Sequence, residues 1–209
     1  MGPPIKRGRG LTRERVIDAA LVLVDRHGLG ALTMRRLGQA LSVEAMSLYR
    51  YLPSKTALHE ALSDRVLREI ALPAPTGRWR RDLTVAGTRF WRALNRHPNV
   101  LPLMAATPRE SAASRAAAEA MLRLIAQAGF SPAKAHRIFR VTKAYVIGAA
   151  VMLQASAVLP GAAAEVSEAY PLLRRALRGA GSIDREADFG FGMSLVLDAV
   201  EGLRPSRRS

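Results

Sequence analysis

The sequence predicts an all-α chain, with a three-helix helix-turn-helix domain first and a larger helical domain after it. Two observations carry this. Apolar residues recur at spacings of three and four almost throughout, and no stretch alternates apolar with polar residues for the length of a strand. Stop signals at Gly28, at Leu52-Pro53 and in the run LPAPTG at residues 72–77 divide these periodic runs into elements.

The first helix follows Thr12, a suitable N-cap, and carries Val16, Ala20 and Leu23 beside Ile17, Leu21 and Val24 up to Gly28. Thr33 caps a short second helix with Leu37, Ala40 and Leu41 on its apolar face. Ser42 and Val43 then turn the chain into a third short helix over Glu44–Tyr51. Pro53-Ser54 restarts a longer fourth helix through Leu58, Leu62, Val66 and Ile70. Two prolines and a glycine in LPAPTG mark the domain boundary. The expected organisation is a basic tail over residues 1–10, a first domain over 11–72, a linker over 73–77 and a second domain over 78–209.

Beyond the linker, helices are expected over Arg78–Arg96, around Val100–Ala106, and over Glu110–Ala128, Pro132–Ala157, Glu165–Arg178 and Arg185–Leu203. The stretch Ala144–Ala164 has no formal charge, but Gln154, Ser156, Pro160 and Gly161 interrupt it, which argues against a membrane span. Gly148, Ala149 and Ala150 would let another helix approach closely. Phe189, Met193, Val196, Val200 and Leu203 form one stripe on the last helix. Paired with the helix around Gly148, and with copies of both from a second subunit, it would make a four-helix homodimer interface.

The 209 residues include no cysteine and carry a formal charge of +15. The absence of thiols suits a reducing, cytoplasmic setting, and the opening MGPPIKRGRG has no apolar core for secretion. The charge points to a polyanion, because Lys and Arg that neutralise phosphates release condensed counterions. Basic residues exceed acidic ones on both sides of the linker, however, so charge alone does not single out a domain.

Helix, three-residue turn and short helix is the arrangement in which the second helix lies in the DNA major groove. With Leu48 set inward, Ala45, Tyr51 and Leu52 fall within about 60° of it, and Met46, Ser47, Tyr49 and Arg50 about 100° or more away. Leu48 and Leu52 anchor the helix, which leaves its other face free. Ala45 and Met46 suit thymine methyls, Ser47 a base edge or phosphate, and Tyr49 offers a ring and a hydroxyl. Arg35, near the start of the second helix, can reach guanine O6 and N7 bidentately. Lys55, in the first turn of the fourth helix, suits a phosphate.

The run LTRERVIDAALVLVDRHGLGALTMRRLGQALSVEAMSLYRYLPSKTAL resembles the DNA-binding domain of the tetracycline-repressor family of transcriptional regulators. The match lies in Leu32-Thr33-x-Arg35, Leu48-Tyr49-x-Tyr51 and Lys55. Trp79 to Leu83, Phe90, His97-Pro98, Ala128-Gly129-Phe130-Ser131, Tyr145-Val146-x-Gly148 and Phe189-x-Phe191-Gly192 extend the resemblance to the ligand-binding domain of the subgroup that holds the tetracycline repressor. It implies that Thr33, Arg35, Ala45, Met46, Ser47, Tyr49, Tyr51 and Lys55 face an operator. Two departures matter: Ser42 stands where the family commonly has Gly, and Ala45-Met46 where the prototype has Gln and Pro.

The same resemblance places Ala71, Ala86, Met104 and Met152 where the prototype holds its magnesium–drug chelate, so no cofactor or metal is expected. Phe90 and Thr107 match pocket positions, which implies a more apolar cavity and a small, largely hydrophobic inducer. Phe90, Met104, Met121 and Met152 at helical spacing also suit a plain core. Arg137 and Arg140 suit either an anionic ligand or a solvated helix face. His27, His59, His97 and His136 lack metal-ligand spacing, and His97 before Pro98 reads as a helix end.

Three functions are open to an all-α chain of this kind. The first is a homodimeric, ligand-responsive repressor of a palindromic operator; the alternative within the fold is an activator or a ligand-insensitive regulator. The third, an enzyme, is opposed by the lack of cysteine, Ser-His-Asp context, glycine-rich phosphate loop and clustered carboxylates. The Lys6-Arg7-x-Arg9 tail could enter an adjacent minor groove or stay solvated.

Overall fold

The computed structural model describes residues 10–105, 111–155, 169–180 and 184–204, and every regular element among them is helical. The chain divides into two compact units. One runs through Glu69 and also takes in His97–Ser114; the other holds Ile70–Arg96 and the chain from Arg115 onward.

In the first unit, α1 (Arg13–His27) starts where Thr12 Oγ1 accepts the Arg15 N–H at 3.2 Å. It ends at Gly28, whose φ of 78° few other residues adopt without strain. Thr33 Oγ1 caps α2 (Met34–Leu41) by accepting the Arg36 N–H at 3.2 Å. The helix stops at Ser42, with φ 56° and ψ 44°. This is the left-handed conformation in which an L-residue loses on the order of 1 kcal/mol. The Val43 N–H, bonded to Gly38 O at 2.9 Å, closes the turn.

Helix α3 is a single turn, Ala45–Leu48, shorter than the expected Glu44–Tyr51. Tyr49–Tyr51 continue as a turn, because Leu52 precedes a proline and is pushed out of the helical region. Helix α4 (Lys55–Glu69) then starts under Ser54, whose Oγ accepts the Ala57 N–H at 3.0 Å. Val16, Ala20, Val24, Leu37, Leu48, Leu52, Leu62 and Val66 are fully buried and form this unit's core.

The segment after α5 (Trp79–Arg96) packs with this first unit. Asn99, in the 3-10 turn Pro98–Val100, donates to Val24 O at 3.0 Å and Asp25 O at 3.1 Å. His97 sits between two carboxylates, Nδ1 at 2.9 Å from Asp25 and Nε2 at 3.0 Å from Glu69. It is a helix-end residue, as expected, but also a clasp between α1 and α4. Helix α6 (Leu101–Ala105) follows and buries Leu101, Leu103 and Met104.

In the second unit, α5, α8 (Pro132–Ala155) and α10 (Arg185–Glu201) pack closely on one another, with α7 (Ala112–Ala126) running into this unit and α9 (Pro171–Ala180) preceding α10. A Cβ on Gly87 would lie 2.7 Å from Met193 Cε, the flexible end of the side chain that α10 packs against α5 here. Trp91 and Tyr145 both stack on Phe189, with centroids 4.8 and 5.6 Å away, and Tyr145 Oη donates to Phe189 O at 2.7 Å. Asp184 caps α10 by accepting the Glu186 and Ala187 N–H groups at 3.0 Å.

This packing corrects one expectation. Phe189, Met193 and Val200, assigned to a subunit interface, are at most 5% exposed and form the chain's own core. The large apolar side chains that α10 leaves exposed are Phe191 and Leu195, at 70% and 55%. Apolar residues occupy two faces of this helix, and of the expected stripe Phe189, Met193 and Val200 lie inward, while Val196 is half-buried and Leu203, just past the helix end, is 51% exposed. Of the other expectations, Ala106, Thr107, the Glu110 helix start, Ser156-Ala157, Glu165–Glu168 and the tail through Arg9 lie outside the described residues.

Asp82, 2% exposed, ties the linker to α5. Its carboxylate accepts the Thr76 N–H at 2.8 Å, the Thr76 hydroxyl at 2.7 Å and Gln127 Nε2 at 3.2 Å. Burial alone would raise its pKa; the two Thr76 bonds, then Gln127 and the charge of Arg81, outweigh it and hold the pKa below its ordinary value. A depressed carboxylate contributes stability that is present above its unfolded pKa and lost as pH falls through the folded one. The stability gap between wild type and Asp82→Asn, followed by thermal unfolding, should therefore be constant above about pH 5 and close below about pH 4. A gap that widened on acidification would contradict this role.

Candidate nucleic-acid interface

The site is built on a close crossing of α2 and the turn that follows it. Gly38 makes that crossing possible, since a Cβ there would lie 2.7 Å from the Val43 carbonyl oxygen and 3.2 Å from the Ala45 nitrogen. Held at this distance, α3 turns Leu48 inward and, just beyond its end, Leu52 follows; both are fully buried. Met46, 77% exposed, and Tyr49, 43% exposed, therefore face outward. Arg35 is exposed on the first turn of α2 and Lys55 is exposed at the start of α4. These residues come from three consecutive elements of the first unit.

The remaining expected contacts have partners that narrow their chemistry. Ala45 is half-buried. Thr33 is exposed, and its oxygen accepts within the cap, leaving its proton to donate. Ser47 is the reverse case: its Oγ donates to Glu44 O at 2.7 Å, leaving lone pairs to accept. Tyr51 is half-buried, and its hydroxyl donates to Leu11 O at 2.7 Å while accepting from Arg50 at 2.7 Å. Both of its hydrogen-bonding roles are thus in use. Arg50, absent from the expected set, lies over the Tyr51 ring at 4.8 Å from its centroid. No local spacing signals this, because Leu11 is forty residues from Tyr51.

One turn along α4 from Lys55, burial and then the nearby charge of Lys55 lower the pKa of His59. Its Nε2 is buried without a partner, so the neutral ring is favoured and Lys55 is the cation of that turn.

The expected effector positions are spread over both units. Ala86 is buried and Phe90 half-buried one turn apart on α5, and the neighbouring Arg89 guanidinium bonds the carbonyl of the exposed Ala71. Met152, near the end of α8, is 67% exposed. Met104 is buried in the first unit, and Thr107 lies outside the described residues. Among the described residues, no group of three or more His, Asp or Glu is placed to hold a metal, and no helix is long and apolar enough to cross a membrane.

Comparison with known proteins identifies the family. Residues 16–62 match the family described as bacterial regulatory proteins, tetR family, and residues 72–204 match the tetracyclin repressor-like C-terminal domain. The chain is 32% identical to tetracycline repressor protein class D of Escherichia coli, covering 91% of this chain and 89% of that one. It is 31% identical to the HTH-type transcriptional repressor DrrR1 of Streptomyces coeruleorubidus, covering 95% and 80%. It also superposes on a glutamine-to-alanine variant of TetR from Acinetobacter baumannii AYE in complex with minocycline, with a TM-score of 0.74, 28% identity, and 94% and 100% of the two chains covered. With both domain models matched in order along one chain, the protein belongs to the tetracycline-repressor family of transcriptional regulators.

Proposed function

We propose that the chain is a repressor that binds a palindromic operator as a homodimer and leaves it when a small, largely hydrophobic inducer binds. The observation that carries the DNA-binding part is the division of the third helix and its turn into fully buried Leu48 and Leu52 and outward Met46 and Tyr49. In this reading the domain over 11–72 meets DNA, and the region over 78–209, beyond the 73–77 linker, holds effector and partner.

On the operator, Arg35 reads a guanine, Met46 and Ala45 meet thymine methyls, and Tyr49 lies along the groove. Thr33 donates to a phosphate and Lys55 pairs with one. Ser47, with its proton on Glu44 O, accepts from a base amino group. Arg35→Ala should cost about 1–3 kcal/mol in binding and relax preference at one base pair. Lys55→Ala should weaken all sequences alike and flatten the salt dependence. Titration of matched and single-substituted duplexes at several salt concentrations checks both; uniform losses in both variants would overturn this division.

Exposed apolar surface supports the dimer. Val141, Val151 and Met152 on α8 and Phe191 and Leu195 on α10 are all close to or above half exposed. A Cβ on Gly148 would have no neighbouring heavy atom within 4 Å among the described residues. A groove of about 610 Å³ lined by Lys134, Arg137, Ile138, Val141, Val196 and Leu203 runs along the same two helices. Two copies joined there would present reading helices to half-sites about 34–36 Å apart.

For the inducer, support comes from the ligand-bound relative and from apolar Ala71, Ala86, Phe90, Met104 and Met152, with Thr107 the polar member. An inducer that favours one spacing of the reading helices shifts the population, and operator affinity falls by linkage. Mobility-shift assays on palindromic duplexes at moderate salt, with and without drug-sized apolar compounds, test the whole reading. Absence of sequence-selective binding would refute it, and binding that no compound weakens would refute the inducible part.

A further inference from the structure

We propose that Arg50 is a phosphate-binding residue at the edge of the reading face, and that Tyr51 positions it. This rests on the DNA-binding reading above. Arg50 follows the one-turn helix α3 and is exposed, next in sequence to the outward Tyr49. Its guanidinium donates to Tyr51 Oη at 2.7 Å and lies over the Tyr51 ring, 4.8 Å from the centroid. Tyr51 Oη in turn donates to Leu11 O at 2.7 Å, a carbonyl that immediately precedes Thr12, the N-cap of α1. One phenol thus fastens the guanidinium to the start of a fifteen-residue helix.

The way Arg50 is held leaves its charge uncancelled. Arg65, Arg80, Arg92, Arg123 and Arg204 are each fixed by a carboxylate. Arg50 is fixed by a ring face and a hydroxyl, both neutral, and among the described residues no carboxylate pairs with it. Holding so long a side chain costs rotamer entropy, and no ion pair offsets that cost here. The result is an ordered cation whose remaining N–H donors are free to take two oxygens of a phosphate at once. Base edges are read from the N-terminal part of a recognition helix, here Ala45 to Ser47. Arg50 lies past the other end, so it fixes orientation on the backbone rather than sequence. Tyr51, expected to touch the operator itself, has its hydroxyl committed on both sides and becomes a positioning residue.

The test compares full-length wild type, Arg50→Ala, Tyr51→Phe and the double variant on a duplex selected by the wild type from random sequence. Binding is repeated on duplexes that carry a neutral methylphosphonate at one backbone position at a time. Arg50 is exposed and Tyr51→Phe keeps the ring, so circular dichroism should show every variant folded. Arg50→Ala should lower affinity on the order of tenfold, reduce the salt slope by about 0.9 for each Arg50 in the complex, and leave base preference unchanged. Tyr51→Phe should lose several-fold by itself and nothing further in the Arg50→Ala background. One methylphosphonate per half-site should abolish the difference between wild type and Arg50→Ala.

Selective wild-type binding with unchanged affinity and slope in Arg50→Ala would overturn this proposal alone. A changed base preference would assign Arg50 to a base edge and overturn the phosphate contact. A difference that survives every methylphosphonate would leave Arg50 as packing on Tyr51 only. An equal Tyr51→Phe loss in both backgrounds would overturn the positioning role. A wild type that selects no sequence would overturn the proposal together with the reading beneath it.

Discussion

Leu48→Ala should destabilise the first unit by about 3 kcal/mol and abolish selective DNA binding. A fully buried leucine truncated to alanine typically costs 2–5 kcal/mol, from lost transfer energy plus the cavity left behind. Here the loss falls on a helix of four residues, far below the length at which a helix holds itself in water. Its position depends on Leu48 and Leu52, both fully buried in the core of the first unit. Chemical denaturation of the full chain, followed beside binding to a selected duplex, would measure both effects. A cost under about 1 kcal/mol would mean that Leu48 does not anchor the helix.

The second large effect is expected at Gly38. Glycine to alanine inside a helix ordinarily stabilises by about 1 kcal/mol, because glycine loses more backbone entropy on folding. Gly38→Ala should reverse that sign. The added Cβ would sit 2.7 Å from a backbone oxygen, not from the end of a flexible side chain, so the Val43–Ala45 backbone must move. Overpacking of this kind costs about 1–3 kcal/mol. The displaced segment is the start of the reading helix, so selective DNA affinity should fall more than tenfold even where the protein stays folded. Unchanged affinity in a folded Gly38→Ala variant would contradict the proposed role of this crossing.

Capping chemistry is local and therefore legible: Thr12 and Thr33 cap their helices and Gly28 ends the first, as expected, while Ser42 takes the left-handed conformation at the turn where the resemblance implied glycine. Periodicity identified α10 but could not tell its inner face from its outer one, because both are apolar. Only packing against Trp91 and Tyr145 assigns Phe189 to the core and leaves Phe191 exposed. The apolar spacing overstates the extent of α3, since one turn of helix and a following tight turn share it. The hydrogen bond from Tyr51 to Leu11 and the clasp of His97 on Asp25 and Glu69 join positions dozens of residues apart, for which a single sequence carries no signal.

That clasp bears on how the two activities of such a chain can be exchanged. The first unit is not a continuous length of sequence, because His97 and Asn99 lie beyond the linker yet bond to α1 and α4. A chimera joined at the linker would give the reading head a foreign segment in place of residues 97–114. Asp25 and Glu69 would then face whatever side chain the donor supplied. Transplanting this head onto another effector domain requires two exchanges, the chain up to the linker and the segment His97–Ser114, made together.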